Sequence, residues 1–154
     1  MNWPMKNWVE RRAAREQNLR NAGGVWKRAQ AAVMEACDSL GEHYATIAKI
    51  ERTKQDGRVV IRIIPASLSG QRPQTELTTK VVSIEFDPGR PAIVVTIDDM
   101  LFQEFPIQAD SDHAFITLNS SELLLDEFSR LALEKTFFTT AEVATYCHRL
   151  RLIP

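Results

Sequence analysis

The sequence is poor in the residues that carry chemistry. It has two cysteines and three histidines in 154 residues. Cys37 and Cys147 stand at opposite ends of the chain, and neither has a Cys or His partner at metal-ligand spacing. A chain of this length does not need a disulfide framework, so two free, buried thiols in a reducing compartment are expected. No two of His43, His113 and His148 have the i, i+4 spacing that brings two rings to one helix face. The six glycines form neither G-x-G-x-x-G nor a phosphate-binding loop, and no serine sits in a G-x-S-x-G elbow. No apolar run approaches the roughly 20 residues of a membrane span, and Met1 to Lys6 lacks the apolar segment of a secretory signal. A cytoplasmic protein without a membrane partner is the expectation by exclusion.

Strong charge of either sign is also missing. The net charge is −1, so no overall field favours nucleic acid or an anionic surface. The charge is unevenly placed, however. Residues Lys6 to Arg28 hold seven bases and two acids, a local +5, and the remainder carries −6. A basic arm on a mildly acidic body is the one charge feature that asks for an explanation.

The length fits a single domain, residues 1–154, large enough to bury a core. Residues 5–40 read as helix. Val25, Ala29, Ala32, Val33, Ala36 and Leu40 form an apolar stripe, and Gly41 stands where a C-terminal glycine cap belongs. Gly23-Gly24 divides the helix into a basic arm, residues 1–22, and a packed segment, residues 24–40, with a break or a close contact expected between them. Residues 43–118 change to period-two alternation. Asp56-Gly57 predicts a type I′ hairpin, and Asp87-Pro88-Gly89-Arg90 a type II turn. Asp98-Asp99 and Asp110-Ser111-Asp112 mark further reversals. Val59, Ile61 and Ile63 share one face of their strand, and Val82, Ile84 and Phe86 of the next; Ile93, Val95 and Ile97 alternate on the returning strand. Residues 66–77 are the longest turn-rich stretch. Turns this short require antiparallel neighbours.

Residues 120–152 read as two helices. Asn119-Ser120-Ser121 predicts the first N-cap, and Thr139-x-x-Glu142 is a capping box that opens the second. The fold class expected is therefore α+β: a long N-terminal helix and a six-stranded antiparallel meander, covered on one face by the N- and C-terminal helices. The predicted core is Trp26, Val33, Ile61, Ile63, Ile84, Phe86, Val95, Ile97, Phe128 and Leu131.

Each candidate for chemistry has a simpler structural reading. Asp110-Ser111-Asp112-His113 offers three ligand types in four residues, but Asp and Ser in turns bond their own backbone. Cys147 and His148, as helix neighbours, point about 100° apart and cannot serve as nucleophile and base together. Asp98 and Asp99 diverge in a tight turn. No catalytic, metal or cofactor residue is assigned. Phe138-Thr139-Thr140-Ala141-Glu142-Val143-Ala144-Thr145-Tyr146 resembles the first helix of excisionase-like helix-turn-helix domains. That resemblance implies a recognition helix after a turn, for which residues 147–154 leave no room, and the capping box accounts for the same residues.

The arm is the strongest functional candidate. Arg11, Arg12 and Arg15 lie together on a helical surface with Trp8 close in sequence. A solvated helix face is the plain account of these residues. The functional one is a partner-binding surface at Trp8, Arg11, Arg12 and Arg15, for a homodimer or another protein, with nucleic acid ranked below because Glu10 and Glu16 interrupt the patch. Two functions follow: a non-catalytic interaction or assembly module using the basic helix, or a domain binding a small apolar ligand between sheet and helices. An enzyme ranks below both, because no convergent polar constellation is visible.

Overall fold

The computed structural model describes residues 4–65, 79–109 and 113–152, with residues 4–6 and 141–152 described in their backbone only. The chain is an α+β fold. A 40-residue helix, α1 (Pro4–His43), is followed by seven strands and one further helix, α2 (Leu125–Leu152). The strands are β1 (Ala48–Gln55), β2 (Arg58–Pro65), β3 (Lys80–Asp87), β4 (Ala92–Ile97), β5 (Met100–Ala109), β6 (Ala114–Leu118) and β7 (Ser121–Leu123). They lie in the order β1-β2-β3-β4-β5-β6-β7, every pair antiparallel.

The sheet has seven strands where the alternation predicts six. Asn119 and Ser120, expected to begin a helix, take φ of 52° and 67° and form a hairpin turn. Asn tolerates the left-handed region better than most residues, and the turn adds the short strand β7. The helix starts four residues beyond Ser121, with Asp126 and Glu127 in its first turn, where carboxylates suit the helix dipole. Asp98 and Asp99 make the same kind of turn, with φ of 51° and 65°. Asp56-Gly57 is a two-residue hairpin as predicted, since Gln55 pairs with Arg58. Its type differs, because neither residue enters the left-handed region. The same correction applies at Gly89, where the turn is held instead by Asp87 Oδ1 accepting the Gly89 N–H at 2.9 Å. The stretch 66–77 lies outside the described residues.

Strand β5 serves two partners. Met100 to Pro106 pair with β4 across a bulge, and Ile107 to Ala109 pair with β6. Pro106, which has no N–H for the ladder, stands at the changeover. Its carbonyl accepts the Thr117 hydroxyl at 3.0 Å.

Both helices pack on one sheet face. From the sheet come Val59, Ile61, Ile63, Val82, Ile84, Ile93, Val95, Phe105, Ile107, Ile116 and Leu123, all buried. Helix α1 supplies Ala22, Val25, Trp26, Ala29, Val33 and Cys37; helix α2 supplies Phe128, Ala132, Leu133 and Phe137. Seven of the ten predicted core residues are fully buried, while Phe86, Ile97 and Leu131 are half-buried against the same cluster. Phe105 meets Phe128 edge-on, with ring centroids 4.9 Å apart, a favoured aromatic geometry.

Neither helix breaks where the sequence suggests. Helix α1 runs through Gly23-Gly24, although each mid-helix glycine costs about 1 kcal/mol against alanine. Gly41 lies within the last turn rather than capping it. Helix α2 runs through Thr139, so the capping box opens nothing. Thr140 bonds back to the Thr136 carbonyl at 2.7 Å inside the helix, as hydroxyls do when they sit in a helix interior.

Candidate functional site

Helix α1 outruns the sheet. Its residues are exposed from Asn7 to Arg20 except for half-buried Asn18, and burial begins in earnest at Ala22. All four residues singled out as partner-binding, Trp8, Arg11, Arg12 and Arg15, lie on this exposed stretch. The structure relates them in a way the sequence pattern does not announce. Eighteen residues make five helical turns, so residues i and i+18 share a face. Trp8, Arg11, Arg12, Arg15 and Leu19 therefore occupy the same face as Trp26, Ala29, Gln30, Val33 and Cys37. The second set is buried against the sheet. The first set projects the same stripe into solvent, with Trp8 59% exposed and Leu19 40%.

Within this face, the Arg12 guanidinium lies 5.7 Å from the centroid of the Trp8 ring, within cation–π range. Arg12 also meets Glu16 at 3.3 Å. An exposed i, i+4 pair of this kind contributes about 0.3–0.5 kcal/mol.

The direction of the arm is set by how α1 is fastened. Trp26 stacks on Phe86, centroids 5.9 Å apart, and its indole N–H donates to the Asp56 carbonyl at 3.0 Å. The Gln30 amide donates to the Gln55 carbonyl at 2.9 Å. Further along, Arg52 of β1 meets Asp38 at 2.8 Å. These contacts fix the helix to the β1–β2 hairpin and to β3.

A groove of about 440 Å³ opens between α1 and α2. Ala32, Ala36, Leu40, Leu133, Tyr44 and Phe138 give it apolar walls. Tyr44 packs on Phe138 with centroids 5.1 Å apart, so that end is aromatic. Glu35, Asp126, Arg130 and Glu134 bring charge to it, and Arg130 is engaged by Glu134 at 3.7 Å. The wall also contains Ser129, which is buried and whose hydroxyl has no hydrogen-bond partner among the described residues. An unpaired buried hydroxyl costs about 1–3 kcal/mol.

A second recess, of about 420 Å³, lies between the end of α1 and β1 and includes Cys37 and Arg52. Cys37 is a free, buried thiol. Burial pushes its pKa up to about 12, against a smaller downward pull from Arg52. A thiol held protonated is a poor nucleophile.

Of the other candidates, Asp98 and Asp99 form the turn, and Asp98 is spent on structure. Its carboxylate accepts the Val81 N–H at 3.0 Å and meets the Lys80 ammonium at 3.0 Å. Partial burial raises its pKa, but these two bonds outweigh that and hold it below the usual range. Asp110 to Asp112 lie outside the described residues; His113 is 3.9 Å from Glu122. The side chains of Cys147 and His148 also lie outside them. Among the described residues, no three His, Cys, Asp or Glu side chains gather where a metal could bind, and no helix is long and apolar enough to cross a membrane. Comparison with protein-family models, curated proteins and solved structures finds no match.

Proposed function

We propose that the protein is a non-catalytic interaction module whose N-terminal basic helix docks on a partner protein. The observation that carries this reading is the repeated face of α1, packed at Trp26, Ala29 and Val33 and left in solvent at Trp8, Arg11 and Arg15. A tryptophan flanked by arginines on a rigid helix is the composition of an interface anchor, since Trp and Arg dominate binding hot spots. A cytoplasmic setting goes with this reading. Placing a photoreactive amino acid at position 8 of the full chain in cells tests it. Adducts to a second polypeptide are expected; adducts only within the same chain would refute it.

A second reading, binding of a small apolar molecule, draws on the groove between the helices and its aromatic end at Tyr44 and Phe138. Here the test is thermal unfolding with long-chain fatty acids and aromatic amines as probes. A saturable rise in midpoint supports it, and no rise with any probe counts against it.

A further inference from the structure

Resting on the interaction reading, we infer that the partner is a second copy of this chain, whose arm lies in the groove between α1 and α2. The argument begins with charge. Residues 7–21 carry Arg11, Arg12, Arg15 and Arg20 against Glu10 and Glu16, a local +2. The groove carries Glu35, Asp126 and Glu134 against Arg130, a local −2. Glu134 has Arg130, which leaves Glu35 and Asp126 to receive the incoming arginines.

Order along the helix agrees with charge. Read from its start, the arm presents Trp8, then Arg11 and Arg15. Read backwards from the end of α1, the groove presents Leu40 with Tyr44 and Phe138, then Glu35. Asp126, twelve residues and about 18 Å from Phe138 along α2, stands at the acidic end. An arm laid antiparallel to α1 thus sets its tryptophan against the aromatic end and its arginines against the carboxylates.

Symmetry closes the arrangement. The middle of the arm, near residue 13, and the groove, near residue 36 on α1, are about 35 Å apart along the helix. If each copy places its arm in the other's groove, the two helices cross antiparallel about a two-fold axis midway, at Gly23-Gly24. An isologous exchange of this kind stops at the dimer.

Sedimentation velocity of the full chain across a dilution series tests the inference, with circular dichroism as the control for folding. A reversible dimer that weakens with salt is expected. Trp8→Ala should weaken it by about 30-fold or more, the loss of one hot-spot anchor. Arg15→Glu and Glu35→Lys should each give monomers alone, and mixing the two should restore a heterodimer, because both arm–groove pairs are then of opposite charge. A wild-type chain that stays monomeric at high concentration, or a dimer indifferent to all three substitutions, overturns the inference. If the purified chain is monomeric yet the position-8 crosslinker captures a different polypeptide in cells, only the second-copy inference fails; if neither occurs, the interaction reading fails with it.

Discussion

Replacing Trp26 separates the forces that fasten α1 to the sheet. The residue is 3% exposed, stacked on Phe86 and bonded to the Asp56 carbonyl. Trp26→Ala removes all three contributions and leaves a cavity, for about 3–5 kcal/mol. Trp26→Phe keeps a ring on Phe86 but loses the indole N–H and part of the buried area, for about 2 kcal/mol, roughly half from each. The Asp56 carbonyl is not orphaned by either change, because the Gln30 amide also lies 3.4 Å from it. Urea unfolding followed by far-UV circular dichroism measures both. With a slope of about 2 kcal/mol per molar urea, the alanine variant should lose about 1.5–2.5 M from its midpoint. Its melting temperature should fall by about 6–20 °C. A loss below about 1 kcal/mol in the alanine variant would show that Trp26 does not anchor the helix. A phenylalanine variant as costly as alanine would show that the hydrogen bond, not burial, is what matters.

Phe128→Ala, which removes a fully buried ring from the α2–sheet contact, should cost about 3–5 kcal/mol by the same assay; Phe86→Ala, at a half-buried site, should cost less. Gly24→Ala should raise stability by about 1 kcal/mol, since the helix is continuous there and the added methyl meets nothing; a loss would mean that the backbone at residue 24 is not helical in solution. Cys37 should resist thiol reagents at pH 8 in the folded protein and react once unfolded, because its pKa is pushed up to about 12; rapid labelling of the native state would contradict its burial. Asp87 and Asp98 both have pKa values below the ordinary aspartate range when folded, Asp87 chiefly through the Gly89 N–H and Asp98, against partial burial, through the Val81 N–H and the Lys80 ammonium. Their contribution is therefore present above about pH 3.8 and lost as pH falls through the lower folded values, so Asp98→Asn should flatten the acid limb of a stability–pH curve.

The fold was legible wherever side chains alternate. Ile61, Ile63, Ile84 and Val95 announce their faces because a sheet covered on one side imposes a period of two. The turn types were less legible, because Asp-Gly and Pro-Gly permit a left-handed φ without requiring it, while Asn119-Ser120 adopts one with a residue, serine, that seldom does. At Gly23-Gly24 neither the break nor the close contact expected is found, and at Thr139 no new helix begins: local preferences worth about 1 kcal/mol yield to a helix that is packed along much of its length. Trp8, Arg11, Arg12 and Arg15 could be picked out by type, but their equivalence to the packed face could not, since it depends on α1 staying continuous through the glycines. The groove with Ser129 had no signal at all. It is made by two helices more than 80 residues apart in sequence, and a serine in an apolar stripe reads as an ordinary helix residue.

The margins of the sheet bear on how this protein can associate. Strand β1 forms one margin and shows solvent an unbroken exposed run from Glu51 to Gln55, with Glu51, Arg52 and Lys54 along it. Strand β7 forms the other and is three residues long, with α2 beginning two residues after it. Charged residues on one margin and brevity on the other both discourage a foreign strand from adding to the ladder. Growth of the sheet from copy to copy, the route to fibres, is therefore obstructed at both ends. A partially unfolded chain should aggregate through its apolar face rather than by edge-to-edge templating.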